Sequence, residues 1–118
     1  MIEPGSIVIV HLINPSEKLW GVMQDLAVHG VTLRALGVES FEDWMAQAVR
    51  RTDQTLGLAT VFVPLFRVEK IYLDEAVGEV ESYQQRFLRR VGVSVQEYVG
   101  LEESLDELSE ADGGVLPS

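Results

Sequence analysis

The chain has no cysteine among its 118 residues, which removes disulfides, thiolate metal ligands and cysteine nucleophiles together. Histidine is nearly as scarce. His11 and His29 stand far apart, with no further ligands at the regular spacing a zinc site needs. No apolar run approaches the roughly 18 to 20 residues of a membrane helix. The opening MIEPGS carries an acid and no basic run, so no signal peptide is expected and the cytoplasm is the expected compartment. Bases are few, 9 against 19 acids, for a net charge of −10. A chain that grips phosphates by counterion release is ordinarily basic, so general nucleic-acid binding is disfavoured. No G-x-S-x-G, no P-loop and no G-x-G-x-x-G after a strand occurs, and neither cofactor nor metal is expected.

What remains is an apolar fraction of 47%, enough for a folded chain, and a length that fits one domain with little surplus stability. The acids are unevenly placed. Glu102, Glu103, Asp106, Glu107, Glu110 and Asp112 follow one another with no base between them, whereas the chain up to Leu101 holds 13 acids against 9 bases.

Thr60 to Glu75, TVFVPLFRVEKIYLDE, organises the rest. Val61 and Val63 alternate with Phe62; Val68, Ile71 and Leu73 alternate with charged residues. Pro64 has no N–H for a ladder, so it marks a corner between two strands. Before it, three more strands are expected: 6–12, rich in β-branched residues; 19–26, with a costly interior Gly21; and 31–38. Asn14-Pro15 and His29-Gly30 supply the turns between them. Ser40-Phe-Glu-Asp43 reads as a capping box, and Phe41, Trp44, Met45 and Ala48 recur at helical spacing, which predicts an inserted helix over about 41–51. A fourth strand runs from Leu58 into the corner. Ser82-Tyr-Gln-Gln85 opens a second helix through Arg90 with Gly92 as its left-handed cap, and Ser94-Val-Gln-Glu97 opens a third with an acidic exposed side.

Five strands, a bent glycine-bearing second strand and a hinge before the last strand resemble the Sm/LSm and Hfq-like small β-barrel, one of the SH3-like barrels. The resemblance rests on Gly5 and Val8-x-Val10-x-Leu12, Gly21-Val-Met23-x-x-Leu26, Val31-x-Leu33, and Val61-Phe-Val-Pro-Leu-Phe-Arg-Val68-x-x-Ile71, and covers roughly residues 5 to 75. It implies a mainly β fold: a five-stranded barrel over 1–76 with the helical insertion, then a C-terminal helical extension over 77–118 with an acidic tail. It also implies pairing of the last two strands between subunits, with Val61, Val63, Val68 and Ile71 at the interface of a homo-oligomer. The family's RNA groups are largely missing. Its Asp and Asn positions read Ala27 and Val31, and its second motif reads Pro64-Leu65-Phe66 with Arg67 beside it.

The expected function is therefore a non-enzymatic, self-associating assembly or protein-interaction module, with a basic protein as a further partner for the acidic last helix. The alternative is an Hfq-like RNA binder using His29, Thr32, Phe66 and Arg67. The adjacent acids Glu42-Asp43, Asp74-Glu75 and Glu102-Glu103 point apart and make no acid–base pair. Arg86, Arg89 and Arg90 form a basic cluster that the acidic C-terminal helix is expected to neutralise. Trp20, Trp44, Phe62 and Phe66 could form a stacking platform, but their strand and helix spacing favours the core; Phe66 is the exception, standing in the hinge where the barrels it resembles place ligand contacts.

Overall fold

The structure, a computed structural model, describes residues 1–50 and 56–101. Five strands form one antiparallel sheet: β1 (Ile7–Leu12), β2 (Glu17–Leu26), β3 (Gly30–Gly37), β4 (Ala59–Pro64) and β5 (Val68–Leu73). A 3-10 turn at Val38–Ser40 leads into helix α1 (Phe41–Arg50), another at Leu65–Arg67 joins β4 to β5, and α2 (Tyr83–Val91) follows β5. A third helix, α3, is described from 95 to 101. The ends of the inserted helix and of the acidic last helix, from Arg51 and Glu102 respectively, lie outside the described residues.

The strand order is β4-β3-β2-β1-β5. No ladder joins β4 to β5, so the sheet is open, and among the described residues neither edge strand has a second partner. This overturns the expected closed barrel and with it the Sm/LSm, Hfq-like and SH3-like assignment; the fold is mixed α/β with an open five-stranded sheet and three helices. Closure needs every strand bonded on both sides. The crossing between β4 and β5 occupies Leu65–Arg67 rather than Pro64, which is the last residue of β4. The register of β5 on β1 then slips between His11 and Leu12, leaving Glu69 unpaired as a bulge.

The two faces of the sheet bury different side chains. Ile7, Ile9, Trp20 and Leu36 point to one face, where Phe41, Trp44, Met45 and Ala48 of α1, Phe87 of α2 and Val95 and Val99 of α3 cover them. Trp20 meets Phe41 edge to face at 4.9 Å and Trp44 at 5.5 Å, and Trp44 meets Phe87 at 5.1 Å. Val8, Val10, Leu12, Met23, Val31, Leu33, Ala35 and Val63 point to the other face, and among the described residues this cluster consists of strand residues alone. Val8, Val10, Met23, Val31 and Leu33 are fully buried there, so the coiled sheet folds this face onto itself.

Gly21 explains how tightly that face is drawn in. A Cβ at this position would stand 2.1 Å from the Arg34 carbonyl oxygen and 2.5 Å from the Ala35 Cα. The neighbouring strand has no room to move back, which answers why a strand tolerates glycine in its interior.

The helices are set by local chemistry that the sequence displays. Ser82 Oγ accepts from the Gln85 N–H at 3.0 Å and Gln85 Oε1 accepts from the Ser82 N–H at 2.8 Å, the reciprocal box predicted for α2. Gly92 closes α2 in the left-handed region, φ 92°, its N–H donating to Leu88. Ser94 Oγ accepts from the Glu97 N–H at 3.1 Å to start α3. Asp74, at the end of β5, contributes a clasp that the sequence does not reveal. Its buried carboxylate accepts from the Tyr83 and Gln84 N–H groups of α2 at 2.8 and 2.9 Å and from the Trp20 indole N–H at 3.1 Å.

Candidate functional site

Among the described residues three places stand out for their chemistry or exposed surface. The first is the pair of His11 on β1 and Tyr72 on β5, cross-strand neighbours with Nε2 and Oη 2.8 Å apart and rings edge to face at 5.0 Å. Burial, then the nearby Lys18 and Lys70, holds the His11 imidazole below its ordinary range. Lys70 lies 5.8 Å from the Tyr72 ring centre. Among the described residues no carboxylate is bonded to this pair to orient the imidazole, so the third member of a base–nucleophile–orienter set is missing there. Among the described residues no group of three or more His, Asp or Glu side chains is placed to hold a metal ion.

The second is a cleft of about 210 Å³ between β2, β3 and α3, floored by Ile7 and Val22 and walled by Val95 and Val99. Gln24, Arg34 and Gln96 also line it. Arg34 Nη1 donates to Thr60 Oγ1 at 3.2 Å. Its volume falls below the roughly 300 Å³ at which small-molecule sites begin, and no pair of titratable groups converges in it.

The third is the end of the sheet where the β2–β3 turn meets β4 and the following 3-10 turn. Ala27 and Gly30 exchange backbone hydrogen bonds at 2.9 and 3.3 Å across the turn, and the Leu65 N–H donates to the His29 carbonyl at 2.9 Å. These bonds bring Leu26, Val28, Phe62, Leu65 and Phe66 to one end of the sheet, all exposed, with Val28 at 86% and Phe66 at 81%. Phe62 lies over Gly30: a Cβ there would meet the ring at 2.6 Å and the Val63 carbonyl oxygen at 2.3 Å. No charged side chain occurs within β4, from Ala59 to Pro64.

The residues expected at an RNA site part company here. His29 sits in the turn, Thr32 is the cross-strand partner of Phe62, and Phe66 is exposed beside them. Arg67 is spent on structure. Its Nε donates to the Ile13 carbonyl at 3.1 Å, and its Nη2 donates to the Pro15 carbonyl at 2.8 Å and to Glu17 at 3.0 Å. The Hfq-like RNA reading falls with the barrel, and the arginine it relied on serves as a tether between the 3-10 turn and the β1–β2 turn. Val61, Val63, Val68 and Ile71, expected at a subunit interface, pack into the strand-only cluster of their own sheet.

Among the described residues the basic cluster pairs with acids of α1 and of the segment before α2, while the acids of the last helix expected to neutralise it, from Glu102 on, lie outside the described residues. Arg86 pairs with Glu42 of α1, Arg90 reaches Glu42 at 3.9 Å, and Arg89 meets Glu81 at 2.9 Å. Arg86 also stacks over Phe41 and Tyr83, at 5.5 and 5.2 Å from their ring centres. No described helix is long and apolar enough to cross a membrane. The chain matches no family model, no curated protein and no solved structure.

Proposed function

We propose that the protein is a non-enzymatic binding domain that associates with protein chains, copies of itself included, through the exposed apolar side chains at one end of its open sheet. One observation carries this reading: Leu26, Val28, Phe62, Leu65 and Phe66 are exposed together beside a strand edge that has no ladder partner among the described residues. Exposed apolar side chains gathered in one place mark interaction surfaces, whereas single ones need no explanation. The non-enzymatic part is supported by the small cleft, in which no pair of titratable groups converges among the described residues, and by the His11–Tyr72 pair, to which no orienting carboxylate is bonded among them. A cytoplasmic site of action fits a chain that has no disulfide to form.

The test is the solution mass of the full chain by light scattering or sedimentation. The expected result is a concentration-dependent multiple of the 13.1 kDa chain mass. Phe66→Glu and Val28→Glu, at exposed positions, should return the chain to monomer while leaving its melting temperature nearly unchanged. A monomer at every concentration overturns the self-association.

A further inference from the structure

We infer that the contact between copies is an antiparallel pairing of β4 with β4 across a two-fold axis through Phe62, which joins two sheets into one of ten strands. The inference rests on the interaction reading above and deepens it by naming the occupant and the register.

The two edge strands are not equivalent. The Leu65 N–H bonds the His29 carbonyl one step beyond the Gly30–Pro64 pair. Because bonded and non-bonded pairs alternate along an antiparallel ladder, Val63, Val61 and Ala59 turn their N–H and C=O groups toward β3. Those of Phe62 and Thr60, and the Pro64 carbonyl, therefore point outward. The missing N–H of Pro64 falls on the outward side, where a proline breaks no existing bond. On β5 the Asp74 N–H bonds the Ile7 carbonyl, so by the same alternation Leu73 and Ile71 carry the outward groups. That edge is guarded by the bulge at Glu69 and by the exposed charges of Glu69 and Lys70, the devices that keep an edge strand from pairing. Edge β4 has no charged side chain and no bulge within it, and no strand pairs with its outer side among the described residues.

Charge selects a second copy as the occupant. The chain carries −10 overall, so most surfaces of two copies repel when they meet. β4 itself, like Leu26, Val28, Leu65 and Phe66, carries no charged side chain for an acidic or basic partner to pair with, and Arg34 of β3 is engaged with Thr60 at 3.2 Å. A strand facing its own copy meets no like charge there. A two-fold contact is also self-complementary, closing at two subunits.

Pairing the strand with itself about Phe62 sets Phe62 opposite Phe62 and Thr60 opposite Pro64 of the second copy. Each Phe62 N–H then donates to the other Phe62 carbonyl, and each Thr60 N–H donates to the other Pro64 carbonyl. Every outward donor of the edge is used, and the proline carbonyl receives a partner. The two Phe62 rings come side by side on the helix-bearing face of the joined sheet, past the margin of the helices.

The natural absence of cysteine makes the test clean. Phe62→Cys places a thiol opposite itself across the axis, at the roughly 5.5 Å Cα separation of a bonded antiparallel pair, within disulfide reach. Mild oxidation should convert the variant to a covalent dimer, and Ile71→Cys on the guarded edge should stay monomeric. In the unmodified chain, amide deuterium exchange at Thr60 and Phe62 should slow by about tenfold when the concentration is raised to roughly a hundred times the dissociation constant, with Ile71 and Leu73 unaffected. The unmodified chain decides if the cysteine variant does not fold. An associating chain that does not cross-link at position 62, or whose exchange slows at Ile71 and Leu73 instead, overturns the two-fold pairing but leaves the interaction reading standing. A chain that never associates overturns both.

Discussion

On one face of the sheet Trp20, Phe41, Trp44 and Phe87 meet ring against ring; on the other Val8, Val10, Leu33 and Val63 meet with no ring among them. The difference follows from what covers each face. Helices stand well away from a sheet and leave a deep space that large rings fill, with edge-to-face contacts worth about 0.5–1.5 kcal/mol beyond their burial. A sheet coiled onto itself brings strand against strand, where branched aliphatics interdigitate and a residue as small as Gly21 or Ala35 sets the approach. One chain thus holds two cores of different chemistry on opposite sides of one ladder.

The largest effect should come from the close-packed side. Gly21→Val would drive its side chain into the Arg34 carbonyl and the Ala35 backbone, which no rotamer relieves. The expected cost exceeds about 4 kcal/mol, enough to abolish cooperative unfolding by circular dichroism in a chain this small.

Trp44→Ala and Leu33→Ala sharpen the comparison, since each empties a fully buried site on its own face. About 3–5 kcal/mol is expected for the tryptophan and about 2–5 kcal/mol for the leucine, by denaturant titration. The pair should add within about 0.5 kcal/mol if the two cores are independent. A coupling well above that would mean that the sheet transmits packing strain between its faces and that the division into two cores is wrong.

Asp74→Ala is next. It leaves the Trp20 indole and two helix-end amides of α2 without their acceptor, and about 2 kcal/mol is expected from these losses together. The loss should loosen α2 in amide exchange while the strand-only core stays protected.

The smallest effect is at the open part of the helix-bearing face. His11 is held below its ordinary value of about 6.5 by burial and by Lys18 and Lys70. The folded state therefore binds the proton less readily than the unfolded chain. The His11 contribution to stability is fully present above about pH 6.5 and is lost as pH falls through the folded-state value. A proton titration by NMR should find the His11 midpoint below 6.5, and a melting temperature compared between His11→Asn and the parent chain should differ more at pH 8 than at pH 5.

Much of the fold is legible in the residues. The β-branched run at Ile7–Val10, the turns at Asn14-Pro15 and His29-Gly30, the boxes at Ser82 and Ser94 and the stripe Phe41, Trp44, Met45 and Ala48 each act within a few neighbours, and the strands and helices fall where they predict. Closure of the sheet is not of this kind. It depends on whether β4 and β5 share a ladder after the turn at Leu65–Arg67 and the bulge at Glu69, and no local pattern reports that. The same limit applies to the site. Phe66 shows its exposure through its place in the corner, whereas the engagement of Arg67 with Ile13, Pro15 and Glu17 joins segments some fifty residues apart. Asp74 reads in the sequence as one of two adjacent acids; its role needs Trp20 and α2 brought to it.

The Asp74 carboxylate has a mechanical consequence. Because one acid ties the end of a strand, an indole from another strand and the first turn of a helix, the attachment of α2 does not depend on the exposed segment from Glu75 to Glu81 that links it to β5. The expected outcome of cutting that segment is two pieces still held through Asp74, which co-elution of the cut chain by size-exclusion chromatography checks.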